Sequence, residues 1–137
     1  RINFYIDNGN YDLALEDIAF VRQLSSEDPD SYYKEAIINR SLNKVKAIQD
    51  VSIAIEKYKL SLKKDSSGNE FYIYNLKEGY LQERVYLEDL YIYRAEIYLD
   101  FKDSESACED IQSALSLINN KGKGAKKLIE SEYSFCF

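Results

Sequence analysis

Ala14-Leu15-Glu16-Asp17-Ile18, Ala47-Ile48-Gln49-Asp50-Val51 and Ala107-Cys108-Glu109-Asp110-Ile111 share one pattern. An alanine opens each, an aspartate stands three residues on, and a branched aliphatic follows it. Four residues beyond each aspartate comes another apolar side chain: Val21, Ala54 and Ala114. Ala47 with Ala54, and Ala107 with Ala114, are seven apart and so share one helix face. Small side chains on that face let two helix backbones approach closely. Such a helix is built to pack against another helix.

The composition around these motifs agrees. The chain has 137 residues, 45% hydrophobic and 31% charged, which suits one packed soluble domain. Five glycines and one proline are too few for a β-sandwich with its many turns. No apolar run nears the ~18–20 residues that cross a bilayer, so no membrane span is expected in this chain. The net charge of −6 argues against nucleic acid as a partner. Histidine is absent, which removes the commonest general base, the commonest zinc ligand and the ordinary near-neutral pH switch. No catalytic, metal or cofactor residues are therefore assigned.

The first two motifs lie 33 residues apart and the last two 60 apart. One unit of ~34 residues plus an insertion accounts for both spacings. Ahead of Ala107 stand Tyr91, Arg94-Ala95 and Tyr98, and ahead of Ala14 stands Gly9-Asn10-Tyr11. On these residues the sequence resembles the tetratricopeptide repeat family over nearly its whole length. Ala95 stands where the family has glycine, Tyr98 at its tyrosine, and Gly9-Asn10-Tyr11 at its interhelix turn. The style of the repeats, and the tail with Ala107-Cys108-Glu109-Asp110 and a closing helix ending near Cys136, look similar to bacterial members of Bacteroidetes type. The resemblance implies an all-α, right-handed superhelix of antiparallel helix pairs with a C-terminal capping helix. The tryptophan of the family is missing, and Pro29 is displaced from its place at a repeat end.

A single domain over 1–137 divides on this basis into a partial repeat 1 (1–28), repeat 2 (29–64), an insertion (65–87), repeat 3 (88–119) and a cap (120–137). Helices are expected near 1–8, 11–25, 31–42, 45–63, 87–101, 104–118 and 125–134. The first of these reads as the tail of a leading helix that starts upstream. Residues 25–31 read as a connection in which Asp30 or Ser31 caps the next helix, and 65–69 as a loop. Asp103 or Ser104 caps the helix after it. The register around 32–42 stays open by one residue.

Between 71 and 86, aromatic and β-branched residues flank a glycine-containing turn, which favours a hairpin or irregular excursion. An extension of the helix leading into Tyr91 is the alternative. Tyr72, Tyr74 and Tyr80 either present aromatic anchors to a partner or cover the edge of the stack itself.

By resemblance, the inner face of the leading helix in repeat 3 holds a protein or peptide partner through Asp89, Ile92, Glu96, Leu99 and Asp100. It carries no Lys/Asn clamp for a C-terminal carboxylate, and its acidic and apolar character suits a basic or mixed segment. The competing expectation is a solvated helix face. Asp17, Asp50 and Asp110 sit one repeat apart, which suits structural pairing better than acid–base catalysis. Arg94 with Asp110 is the first such pair expected, contributing at most ~1 kcal/mol as a partly exposed ion pair.

Cys108 and Cys136 either form a disulfide, if the capping helix folds back, or remain two small thiols. A bridge would lean the location towards a bacterial periplasm or cell envelope, with the cytoplasm still open. The function expected is a protein–protein interaction module or scaffold without chemistry of its own. The alternative is a structural subunit packed permanently in a multiprotein complex.

Overall fold

A computed structural model describes residues 2–24, 29–60, 63–64, 70–75, 82–118 and 123–137, with the backbone alone described for 63–64, 70–75, 82–86 and 123. The described residues form seven α-helices packed in adjacent pairs and a small antiparallel sheet. They fall into two compact units, 1–57 and 58–137.

In the first unit, α1 (Ile2–Asp7) and α2 (Tyr11–Leu24) form a hairpin. α3 (Pro29–Leu42) and α4 (Lys44–Lys59) form a second, with the division between units falling near the end of α4. Ala14 and Ile18 of α2 and Ile38 of α3 make one buried cluster, with Ile2, Tyr5, Ile6, Tyr11 and Leu15 packed on it. Burying side chains of this size contributes about 1.5–3 kcal/mol for each aliphatic.

Two expectations need correction here. α3 begins at Pro29, so Asp30 and Ser31 lie inside its first turn, both buried, and neither is its cap. Proline at the first helical position explains the early start: its φ is preset and its missing N–H has no partner to lose. α4 stops at Lys59, and Lys63–Lys64 pair as a short strand, so the helix does not run to 63. The second hairpin turns on Asn43 alone, whereas three residues (8–10 and 101–103) separate the helices of the other pairs. Ala36, buried on α3, lies 11 residues before Ala47, against 12 between Ala95 and Ala107.

The second unit holds β1 (Lys63–Lys64), β2 (Glu70–Asn75), β3 (Gln82–Tyr86), α5 (Leu87–Asp100), α6 (Ser104–Leu117) and α7 (Lys123–Glu132), with a 3-10 turn at Ser134–Cys136. The strands pair antiparallel in the order β1-β2-β3, with Phe71 opposite Tyr86 and Asn75 opposite Gln82. The insertion is a hairpin, and α5 does not extend back through it. The loop expected at 65–69 lies outside the described residues. Ala95, Ala107, Ile111, Ile118, Ile129 and Tyr133 form the core of this unit. α7 together with the 3-10 turn takes the place of the cap expected at 125–134.

The turns show the repeat at atomic detail. Gly9 and Lys102 both have positive φ (74° and 59°), and each stands five residues before an alanine, Ala14 or Ala107. The amide of Asn10 donates to the Tyr5 carbonyl at 2.8 Å, and that of Asp103 to the Tyr98 carbonyl at 3.0 Å. These are the 6→1 bonds of a Schellman-type helix end, in which a left-handed residue closes the last turn. Asn10, Asn43 and Asp103 then each stand four residues before the motif alanine, whose amide donates to their carbonyl. Asp103 is the true cap of α6, its Oδ1 accepting from the Ser106 amide at 3.1 Å. Hydrogen bonding from the Ser106 side chain first, and from its amide second, holds the Asp103 carboxyl below its ordinary value. Asn43 Oδ1 accepts from the Lys46 amide in the corresponding way, at 3.2 Å.

Candidate protein-binding face

The α5 face is assembled from both ends of its sequence. Acidic Glu88 and Asp89 occupy its first turn, where the helix dipole favours negative charge. Asp89 and Asp100 are exposed at opposite ends of the helix. Between them, Ile92 and Leu99 are half-buried and pack against the core of the unit. Glu96 is half-buried as well, and its Oε1 accepts from the Tyr133 hydroxyl at 3.4 Å. The strip named from sequence is thus open at its acidic ends, and its middle is packed into a core to which α7 and the 3-10 turn contribute.

Cys108 on α6 and Cys136 in the 3-10 turn form a disulfide, with Cα atoms 5.3 Å apart and a sequence separation of 28. Cys136 also packs against the core beside Tyr133. The bridge pins the end of the described chain to the same hairpin that α5 belongs to.

Arg94 joins α5 to α6. Its Nη2 donates to Asp110 Oδ1 at 2.7 Å and its Nε to Oδ2 at 2.8 Å. The hydrogen bond to Asp110 raises the Arg94 pKa above its ordinary value, against the opposing effect of desolvation. Asp110 is only 4% exposed while Arg94 is half-buried, so the pair is a partly exposed one. The guanidinium also lies 5.6 Å from the Tyr91 ring centre, and the Lys59 ammonium lies 6.0 Å from it. Ala95, Ala107 and Ala114 are buried, and Tyr98 packs on the core.

The first unit solves the same problem differently. Asp50 is buried, and its Oδ2 accepts from Asn39 Nδ2 at 2.9 Å while Oδ1 meets Lys46 Nζ at 3.0 Å. Burial pushes the Asp50 pKa up, and the bonds from Asn39 and Lys46 only partly counter it. Desolvation works to lower the Lys46 pKa, but Asp50 and Glu35 outweigh it and the group is raised. Glu35 also pairs with Arg22 at 2.6 Å, and Arg22 lies 3.9 Å over the Tyr32 ring, with Lys57 at 5.4 Å. Ala47 and Ala54 are buried beside this network on α4, and Ala14 is buried on α2. Asp17 is half-buried.

Tyr72 and Tyr74 lie on β2, opposite Val85 and Glu83. Tyr80 lies outside the described residues. Among the described residues no three His, Cys, Asp or Glu side chains are grouped to hold a metal ion. No helix among them is long and apolar enough to cross a membrane.

Sequence reasoning missed Tyr133, Asn39 and Glu35. Tyr133 stands four residues after Ile129, an apolar spacing that marks one helix face and is legible in hindsight. Asn39 and Glu35 carry no such signal, because their partners are set by the one-residue turn at Asn43. No protein-family model matches the sequence, and no curated protein matches it.

Proposed function

We propose that the helical hairpins are tetratricopeptide-type repeats and that the chain is a protein–protein interaction module, holding a protein or peptide partner on the α5 face. The observation that carries this reading is the recurrence of one hairpin, down to the left-handed residue at Gly9 and Lys102 and the buried alanines at 14, 47 and 107. A chain that repeats its packing unit builds surface by adding units, and such surfaces serve binding. The exposed carboxylates of Asp89 and Asp100 suit a partner segment carrying lysine or arginine. The strand hairpin of the insertion, with Tyr72 and Tyr74 on β2, is the second contact region in this reading.

The test is purification of the tagged chain from its native source beside a variant carrying both Asp89→Lys and Asp100→Lys. The account expects a partner that accompanies the wild type in fixed proportion and is lost from a variant of unchanged melting temperature. Equal recovery of the partner by both proteins, or recovery of the wild type alone, contradicts it.

The second reading is a subunit packed permanently in a larger assembly. It draws on large apolar side chains left in the open, Leu24 at 74% and Leu60 at 79% above all, with Phe20, Phe135 and Phe137. Single exposed apolar residues are ordinary, whereas several across a chain this small suit lasting contact. An interface of more than about 2,000 Å², apolar and dry, favours this second reading over transient binding.

A further inference from the structure

We infer that the α5–α6 hairpin carries a docking groove for an amphipathic helix, that its resident occupant is the chain's own α7 and 3-10 turn, and that the Cys108–Cys136 disulfide controls entry of a helix from another molecule. This deepens, and rests on, the reading of the α5 face as the partner-binding face.

The two units supply the comparison. In the first, Ala14 and Ile18 of α2 cluster with Ile38, which a following helix supplies. In the second, the matching pair Ala107 and Ile111 clusters with Ile129 and Tyr133 of the closing segment. The closing segment thus fills the position that a repeat helix fills elsewhere. What it inserts defines the ligand: an aliphatic residue on a helix and, four residues on and just past the helix end, an aromatic one with a hydroxyl that reaches Glu96.

The occupant is weakly held apart from the covalent bond. Of residues 124–137, Ile129 and Tyr133 alone are buried, and Leu128, Phe135 and Phe137 are exposed. A ten-residue helix such as α7 has little stability by itself. The disulfide closes the loop that keeps it in place. A dithiol reductant breaks the Cys108–Cys136 S–S bond through a mixed disulfide: two electrons and two protons convert the cysteines to thiols, and the reductant becomes its own disulfide. The segment then rests on the buried Ile129 and Tyr133 and the half-buried Cys136, and the seat over Ala107 and Ile111 opens to a competitor.

The experiment uses the full chain, oxidised and reduced, and a fluorescent peptide of residues 123–137 carrying Cys136→Ser. On reduction, the amides of 124–137 are expected to exchange faster by on the order of 100-fold. Those of α5 and α6 should change by less than about tenfold. The peptide binds the reduced chain saturably and the oxidised chain not at all. Tyr133→Ala in the reduced chain weakens the resident further and should tighten peptide binding. Unchanged exchange on reduction overturns the proposal, as does collapse of α5 and α6, failure of the reduced chain to bind the peptide, or equal binding by both forms. None of these readouts requires the native partner, so failure here is separable from failure of the purification test.

Discussion

Arg94 grips Asp110 with two parallel hydrogen bonds, at 2.7 and 2.8 Å, across the α5–α6 hairpin. The carboxylate is buried while the guanidinium keeps some solvent. Removing the arginine leaves a buried charge without its partner, a greater loss than the net worth of the intact pair. Arg94→Ala should cost about 2–4 kcal/mol in urea unfolding. Arg94→Lys keeps the charge but loses the fork and should cost roughly half as much. Costs below about 0.5 kcal/mol for both would place the pair at the surface.

Lys102 holds a positive φ at the position where the first hairpin has Gly9. A lysine in the left-handed region strains against its own Cβ, and glycine does not. Lys102→Gly should therefore leave stability unchanged or raise it, by up to about 1 kcal/mol. Gly9→Ala should lower it by about 1 kcal/mol, because nothing but the backbone conformation opposes the new methyl group. Denaturation midpoints with unchanged slopes check both.

How much of this was legible follows from where each feature is encoded. The three alanine–aspartate motifs are local, and each fell on a helix with its alanine buried. α3 starts earlier than its local sequence suggests because Pro29 reads as part of a connection, and a proline opens a helix as readily as it ends one. The strand at Lys63–Lys64 has no sequence signal of its own, since lysine is a poor strand former; pairing with Glu70 and Phe71 creates it. The covering of Ile92 and Leu99 depends on Tyr133, which reaches α5 from 37 residues beyond Glu96. No local pattern encodes that.

Asp50 and Asp103 give opposite pH signatures. The folded-state pKa of Asp50 lies above the reference 3.8, so the folded chain binds more protons there than the unfolded one. The stability this group contributes is therefore full below 3.8 and falls as pH rises through its raised pKa. Asp103 is depressed, so its contribution is present above 3.8 and fades as pH drops through the lowered value. Against wild type, Asp50→Asn should gain in relative melting temperature between pH 3.8 and neutrality, whereas Asp103→Ala should lose over the approach to 3.8 from below. Parallel melting curves across pH 2.5–7 check the signs, and matching trends for the two variants would contradict them.

Ala95 and Ala114 are fully buried on the facing helices of one hairpin. Enlarging either to leucine forces the backbones apart and should cost about 1–3 kcal/mol. Wild-type melting of both variants would mean that the helices do not approach closely at these positions.

The claim beneath all of this is that the α1–α2 and α5–α6 hairpins each offer an alanine–isoleucine pair, Ala14–Ile18 and Ala107–Ile111, as a seat for the helix that follows. Methyl nuclear Overhauser spectra of the oxidised chain test it most directly. The account predicts cross-peaks from Ile38 to the Ala14–Ile18 pair, and from Ile129 or the Tyr133 ring to the Ala107–Ile111 pair. Spectra in which those alanine methyl groups meet only their own helix and water would contradict it.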